Sequence, residues 1–521
     1  MKRHTLFLIP FASFTLLLSS VAGQQVTSSS ADDPADPVTE EKTLVAAIAK
    51  TDDGSDSSDL ATLLNNLAAT YESEGRYGDS EPLFLRAIRM WEKTSGPKDL
   101  DLATGLANLA RLYKLQARYS EAEPLYQRSL AIREAKLGPD DPATAISQAG
   151  LADLYLDEGR YADSQPLARK ALATQTQKLS PDDAALAVTL TTLAATDEQQ
   201  GKYSDAEPLF QRALAIQEKA FGTNTRETAV SLTNLARLYN DEGKAEKAEP
   251  LCKRAINIEE TVLGQNHPDL AISLDELAQI YASEGRTSLS KPLFERALSV
   301  EKESLGPQHP AVALTLLNLS SIYEQEGKLA EAESLLRQGQ SITEKSLGPD
   351  HPEMAIVLND LATALAMHRK NQEAATLYQR ALSILERTQG SDHLFYALTL
   401  GNLGALYYNE RNYAEAKPRL EQSLNIMETI LNPEDPKLAR AVDRVAAVYV
   451  DEGLYTSAEP LCQRALDLLQ KSPSPDYPAL IEATQNYAVL LLKTGRAAEA
   501  EGFETRAMVY QAKYNELARK P

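Results

Sequence analysis

His267, His309, His351 and His393 recur every 42 residues, which makes a metal array the first chemistry to consider. Neighbouring packed helices stand about 8 to 10 Å apart, whereas a zinc ligand lies about 2 Å from the ion. Rings at that pitch cannot share one metal. Three of the four precede Pro, which puts them in loops ahead of a helix, where loop and capping geometry accounts for them. Cys252 and Cys462 are the only thiols. They are five repeat lengths apart, beyond the roughly 7 Å between α-carbons that a disulfide tolerates, so both are expected to be buried and unpaired. A phosphate loop, a serine nucleophile elbow, paired zinc-binding His and a dinucleotide Gly fingerprint are all missing from the sequence. The recurring carboxylates Glu81, Glu123, Glu207, Glu249 and Glu459 have cap and solvent roles that need no catalysis. No enzyme, cofactor or metal is expected. The amides are more promising: Asn66, Asn108, Asn234, Asn318, Asn402 and Asn486 recur at multiples of the same spacing, and an amide offers both a donor and an acceptor to a peptide backbone.

What positions these residues is a repeat. Pro82, Pro124, Pro166, Pro208, Pro250 and Pro292 are each 42 residues apart, and the register continues through Ser334, Thr376, Pro418, Pro460 and Gly502. Eleven copies therefore run from about Asp59 to the C-terminus with no inserted domain. Each copy holds two helical patterns. In the fifth, Leu232, Leu235, Ala236 and Tyr239 share one face over Val230 to Asn240, and Leu251, Ala255, Ile256 and Ile258 share one over Pro250 to Val262. Gly75, Gly159, Gly201, Gly243, Gly285, Gly327, Gly453 and Gly495 fall in the turn between them, as left-handed C-caps require. Ser120 with Glu123 and Ser204 with Glu207 read as capping boxes at the start of the second helix, with Pro in its first turn. The residue 14 before each repeat Pro and the residue five after it are small in every copy, so helices approach closely there, and each hairpin buries its face against the next.

The small, Leu and Tyr positions resemble the signature of the tetratricopeptide repeat. The run from Leu263 to Tyr281, followed by Lys291 to Leu298, with its 42-residue period, resembles the kinesin light chain type, here in an exported bacterial form. The resemblance implies an all-α, right-handed superhelical solenoid of about eleven hairpins acting as a non-catalytic scaffold for a protein or peptide. It implies further that the six Asn face the concave groove and hold an extended peptide. Five copies carry Gly150, Thr192, Glu276, Asp360 and Arg444 instead, which interrupts that ladder, and the Lys clamp of some relatives is missing at Thr62 and Thr104. Arg86, Arg128, Arg212, Arg254, Arg296, Arg380, Arg464 and Arg506 lie on the outer helix and are expected to pair between repeats. The rival reading is a structural, self-assembling envelope component that meets its neighbours through its ends or convex face. Transport along microtubules is not implied.

The N-terminus adds a location. Met1 to His4 is basic, Thr5 to Leu18 is apolar, and Ser19 to Gly23 is small, which reads as a signal peptide over residues 1–23 cut ahead of Gln24. The apolar run of 14 residues is short of the roughly 20 that span a bilayer, so no membrane span is expected after cleavage. Residues 24–38 read as a disordered acidic tether, and 39–58 as a capping helix with its linker ahead of the array at 59–521; Phe503 to Arg519 is expected to cap the far end. Losing the two basic residues of the leader takes the formal charge from −21 to −23. A chain so acidic disfavours nucleic acid, which needs a basic stripe. The expected setting is periplasmic or secreted.

Overall fold

The two apolar stripes of each copy fold as two helices because neither face can be buried alone. The computed structural model describes residues 37–52, 56–431, 433, 435, 437–471 and 476–517. The leader and the tether up to residue 36 lie outside the described residues. Among those described there are 23 α-helices and no strand: one leading helix, Pro37–Thr51, and eleven hairpins from Ser58–Ser73 with Tyr77–Thr94 to Tyr477–Lys493 with Ala497–Leu517. The first helix of repeat 5 is Arg226–Asp241 and the second Ala245–Val262, each several residues longer at its N-terminus than the apolar pattern alone marks.

The turns obey the glycine rule and show its exceptions. In the first, Gly75 sits at φ +74. Its amide donates to the Glu72 carbonyl at 3.0 Å and the next amide, of Arg76, donates to the Tyr71 carbonyl at 2.8 Å, which satisfies the carbonyls a helix end leaves open. The three copies without glycine adopt the same conformation at Ala117 (φ 56), Arg369 (φ 62) and Arg411 (φ 64). A left-handed L-residue is strained by roughly 1–2 kcal/mol, while a new glycine loosens the unfolded chain by about 0.4–1 kcal/mol. Arg411 is exposed, so Arg411→Gly should stabilise by the difference, about 0.5 kcal/mol. A lowered urea midpoint would contradict that reading of the turn.

The start of the second helix corrects an expectation. It begins at Tyr77, Tyr119 or Tyr203, five residues before Pro, and the residues at its N-cap, Arg118 and Lys202 among them, make no side-chain cap. Ser120 and Ser204 are thus inside helices, and Glu123 and Glu207 point to the following repeat instead of back to an amide.

The small positions are where helices meet. A Cβ built on Gly404 would stand 2.8 Å from Leu420, and one on Gly339 would stand 2.7 Å from Leu317. Consecutive first helices touch along the whole row, whereas consecutive second helices are held apart, so the row bends with its first helices on the inside. At its start, Pro37–Thr51 lies where a preceding second helix would: Glu41 accepts from the Tyr71 hydroxyl at 3.1 Å, Arg86 pairs with Asp52 at 2.7 Å, and Ile48 packs against the core of Leu60, Leu64 and Phe84. At the far end Phe503 packs on Tyr487 with ring centroids 4.6 Å apart.

Candidate interaction surface

The inner face, where a bound peptide would lie, is lined by the first helices. Asn66, Asn108, Asn234, Asn318, Asn402 and Asn486 do line up there, but not as free amides. Asn108 Nδ2 donates to Asn65 Oδ1 at 3.1 Å, Asn318 Nδ2 to Asp275 Oδ2 at 2.9 Å, Asn402 Nδ2 to Asn359 Oδ1 at 3.1 Å and Asn486 Nδ2 to Asp443 Oδ2 at 2.7 Å. Each bond reaches 43 residues back, to the first helix of the preceding repeat. Asn234 Oδ1 accepts from Arg237 Nη1 at 3.1 Å. Asn234, Asn318, Asn402 and Asn486 are buried, and only Asn66 and Asn108 keep appreciable exposure. The expectation of an exposed polar face is therefore corrected for four of the six: the amides fill the space where first helices bend together, and each closes a hydrogen bond that burial would otherwise leave open.

Charged groups share this face. Lys114 Nζ stands 2.7 Å from Asp153 and 2.9 Å from Asp157, with a side chain only 1% exposed. Burial would pull its ammonium down, but the two carboxylates outweigh that and hold it above the usual lysine range. Arg237 pairs with Glu198 at 2.9 Å, Arg111 with Glu72 at 2.7 Å, and Arg226 with Asp269 at 2.7 Å. Burial pushes the Glu276 and Glu353 carboxyls up to about 8. Burial favours their neutral form, in which it costs least.

On the flank of the hairpins the recurring Glu is a hub between repeats. Glu81 accepts from the Tyr113 hydroxyl at 3.0 Å and from Arg118 Nη1 at 2.8 Å, while the Arg118 guanidinium lies 3.9 Å over the Tyr113 ring. Glu123 repeats the arrangement with Tyr155 and Arg160, and Glu249 with Tyr281 and Arg286. Several of the eight outer Arg pair with the preceding second helix as expected, Arg128 with Glu92 and Arg296 with Glu260 at 2.7 Å and Arg254 with Glu218 at 2.9 Å among them. The side chains of these pairs are 31–40% exposed, and each pair contributes little.

The four His are helix caps. Nδ1 of His267, His309, His351 and His393 accepts the backbone N–H two residues on, at 3.1, 3.2, 3.3 and 3.3 Å. They also reach residues that no repeat spacing indicates. His267 Nε2–H donates to the Ser73 carbonyl at 2.9 Å and His309 Nε2–H to the Leu115 carbonyl at 3.0 Å, both 194 residues back. The bend thus brings the sixth and seventh loops onto the first and second hairpins, closing the row into a coil. A cleft of about 740 Å³ opens at this junction, lined among others by Arg76, Asp79, Arg118, Asn266, Gln308 and Pro310. Its two guanidiniums are already engaged, Arg76 by Glu74 and Asp79, and Arg118 by Glu81 and Glu121.

Among the described residues no group of three or more His, Cys, Asp or Glu is placed to hold a metal ion, and no helix is long and apolar enough to cross a membrane. Cys252 and Cys462 are both buried and free.

A tetratricopeptide repeat model matches residues 59–135, 118–177, 143–219, 227–300, 276–345, 322–387, 365–429 and 437–508. Among solved structures, nearly identical TPR-like repeats of a protein from Podosopora anserina described as a kinesin light chain share 27% identity over 40% of this chain and 98% of theirs, with a TM-score of 0.32. BtubC (BKLC) from P. vanneervenii shares 23% identity over 44% of this chain and 89% of its own, with a TM-score of 0.35. No curated protein matches the chain.

Proposed function

Since the chain belongs to the tetratricopeptide repeat family, whose solenoid is typical of protein-interaction scaffolds, we propose that it is a non-catalytic scaffold that binds a protein or peptide outside the cytoplasm. The observation that carries this is the array itself: among the described residues eleven hairpins follow one another from Ser58 to Leu517. Peptide binding on the inner face is confined in this reading to its N-terminal end. Asn66 and Asn108 keep exposure there, Asn108 with its Nδ2 already donating to Asn65, whereas Asn234, Asn318, Asn402 and Asn486 are buried.

The test uses the immobilised full-length protein and the native envelope or culture-medium fraction. One discrete partner should be retained, and Asn66→Ala with Asn108→Ala should weaken its binding by about 0.5–1.5 kcal/mol for each lost hydrogen bond. Unchanged affinity would remove the groove assignment. For location, mass spectrometry of the native protein should find an N-terminus at or near Gln24, and intact Met1 in the cytosol would contradict export. A second reading, self-assembly through the ends, is favoured by one feature: Met508 and Val509 on the last helix are 68% and 48% exposed. Concentration-dependent association with no retained partner would select it.

A further inference from the structure

The residue that caps each first helix changes type halfway along the chain. In repeats 1 to 5 it is Ser57, Asp99, Asp141, Asp183 and Thr225, each accepting a backbone N–H with a side-chain oxygen. In repeats 6 to 9 it is His267, His309, His351 and His393. A cap needs one acceptor, which Ser, Thr, Asp and Asn supply best, so capping alone does not call for imidazole. What distinguishes repeats 6 to 9 is that their loops rest on repeats 1 to 3, and His brings two things that Asp lacks: a second nitrogen and a flat face.

Both are used across the gap. The carbonyls met by His267 and His309 belong to Ser73 and Leu115, the last residues of two first helices, where the chain has carbonyls without intrahelical partners. Each of these rings therefore caps two helices at once, its own N-terminus and the C-terminus of one five repeats earlier. His351 and His393 use the ring face instead, stacking on Tyr119 and Tyr161 with centroids 5.7 and 5.3 Å apart. Lys437, ahead of the tenth repeat's first helix, continues the line by donating to the Tyr203 hydroxyl at 2.5 Å. Side chains of the later repeats press on glycines of the earlier ones along it: a Cβ on Gly75 would stand 3.0 Å from Pro268, one on Gly159 2.8 Å from Gln389, and one on Gly201 3.0 Å from Leu431. Leu347 packs across onto the core of the first three repeats.

We propose that this line of His, Tyr and Lys is a latch, which holds the coil closed over its charged inner face and parts as a unit to give an open coil with every hairpin intact. Its contacts join repeats five or six apart, so parting it removes no packing between neighbours, and neighbour packing is what holds each repeat of a solenoid folded. The rings are suited to it because burial pulls His309, His351 and His393 down to about 4, leaving them neutral. With Nδ1 accepting, His267 and His309 carry their proton on Nε2, where they donate. The latch does not depend on what the inner face binds.

The test replaces the rings without removing the caps. In the full chain, H267N/H309N/H351N/H393N retains a strong N-cap at all four helices, and D99N/D141N/D183N makes a comparable change in loops outside the latch. Far-UV circular dichroism should be unchanged in both. The His variant alone should show a larger radius of gyration by small-angle scattering, and amide exchange at residues 73–79 and 115–121 faster by about tenfold or more, as expected for a local opening. Wild-type size and exchange would overturn the latch, and so would an equal loss of helicity in both variants, which would reduce the His to caps. A second pair guards against misfolding. Gly159 and Gly327 share a left-handed φ, +70 and +73, but only Gly159 has atoms of a distant repeat within 4 Å. Gly159→Ala should enlarge the molecule and Gly327→Ala should not; equal behaviour would show that the seam is not packed.

Discussion

Lys114→Met should destabilise the chain by about 3–5 kcal/mol, because it replaces with a methyl group the cation that two buried carboxylates share. The Lys114 side chain is 1% exposed, and those of Asp153 and Asp157 are 7% and 4% exposed, so water cannot take over its role without the first helices of repeats 2 and 3 moving apart. The charge trio is not itself a source of that much stability, since desolvating three ions offsets most of their attraction. The asymmetry gives the test a second arm. Lys114→Met combined with Asp153→Asn and Asp157→Asn removes all three charges, and should recover more than half of the loss. Because a repeat array does not unfold in one step, the quantity to read is the local opening energy from hydrogen exchange over residues 100–178. A loss for Lys114→Met below about 1 kcal/mol, the scale of an exposed pair, would mean that the inner face is wet.

Asn402→Ala and Asn486→Ala should each cost about 1–3 kcal/mol, the penalty for leaving a buried partner unsatisfied. Asn402 is 0% exposed. Its Nδ2 donates to Asn359 and its Oδ1 accepts from Arg444 Nη2 at 3.2 Å, so alanine removes an acceptor from a buried guanidinium and a donor from a buried amide. Asn486 holds Asp443 in the same way. Alanine is the better helix former by several tenths of a kcal/mol, which is too little to compensate. Asn66→Ala should be close to neutral, since Asn66 is partly exposed and the amide that donates to it, Asn65 Nδ2, stands at 3.4 Å. Equal effects at positions 66 and 402 would contradict the division of the six amides into structural and exposed sets.

The hairpins, their turns and their close contacts were legible because each is local and repeated eleven times, and the outer Arg pairs were legible for the same reason. The capping boxes misled because Ser-x-x-Glu is also what a Glu hub looks like when it serves the next repeat's Tyr and Arg. For the amides that proved buried, the signal of a structural role was present in the sequence. Asn65 with Asn108, Asp275 with Asn318, Asn359 with Asn402 and Asp443 with Asn486 are polar pairs 43 residues apart, which is one repeat plus one step around the helix, the offset at which neighbouring first helices touch. Closure of the coil was hidden more deeply. It depends on a bend summed over five hairpins, and joins residues 194 apart that share no local pattern. Its trace is the switch of cap residue from Asp and Thr to His at the sixth repeat, a question about why a cap changes type that a metal test does not ask.

Closure of the coil is decided by one distance. Asp79 and Gln308 are exposed residues that line the same cleft, although one belongs to the first repeat and the other leads into the seventh. Asp79→Cys with Gln308→Cys, spin-labelled in the full chain, can be measured by pulsed electron paramagnetic resonance, because Cys252 and Cys462 are buried. A closed coil predicts a dominant separation of about 20 Å, and an open row of six repeats at about 8 to 10 Å each predicts about 50–60 Å. A main population at the longer distance would contradict closure.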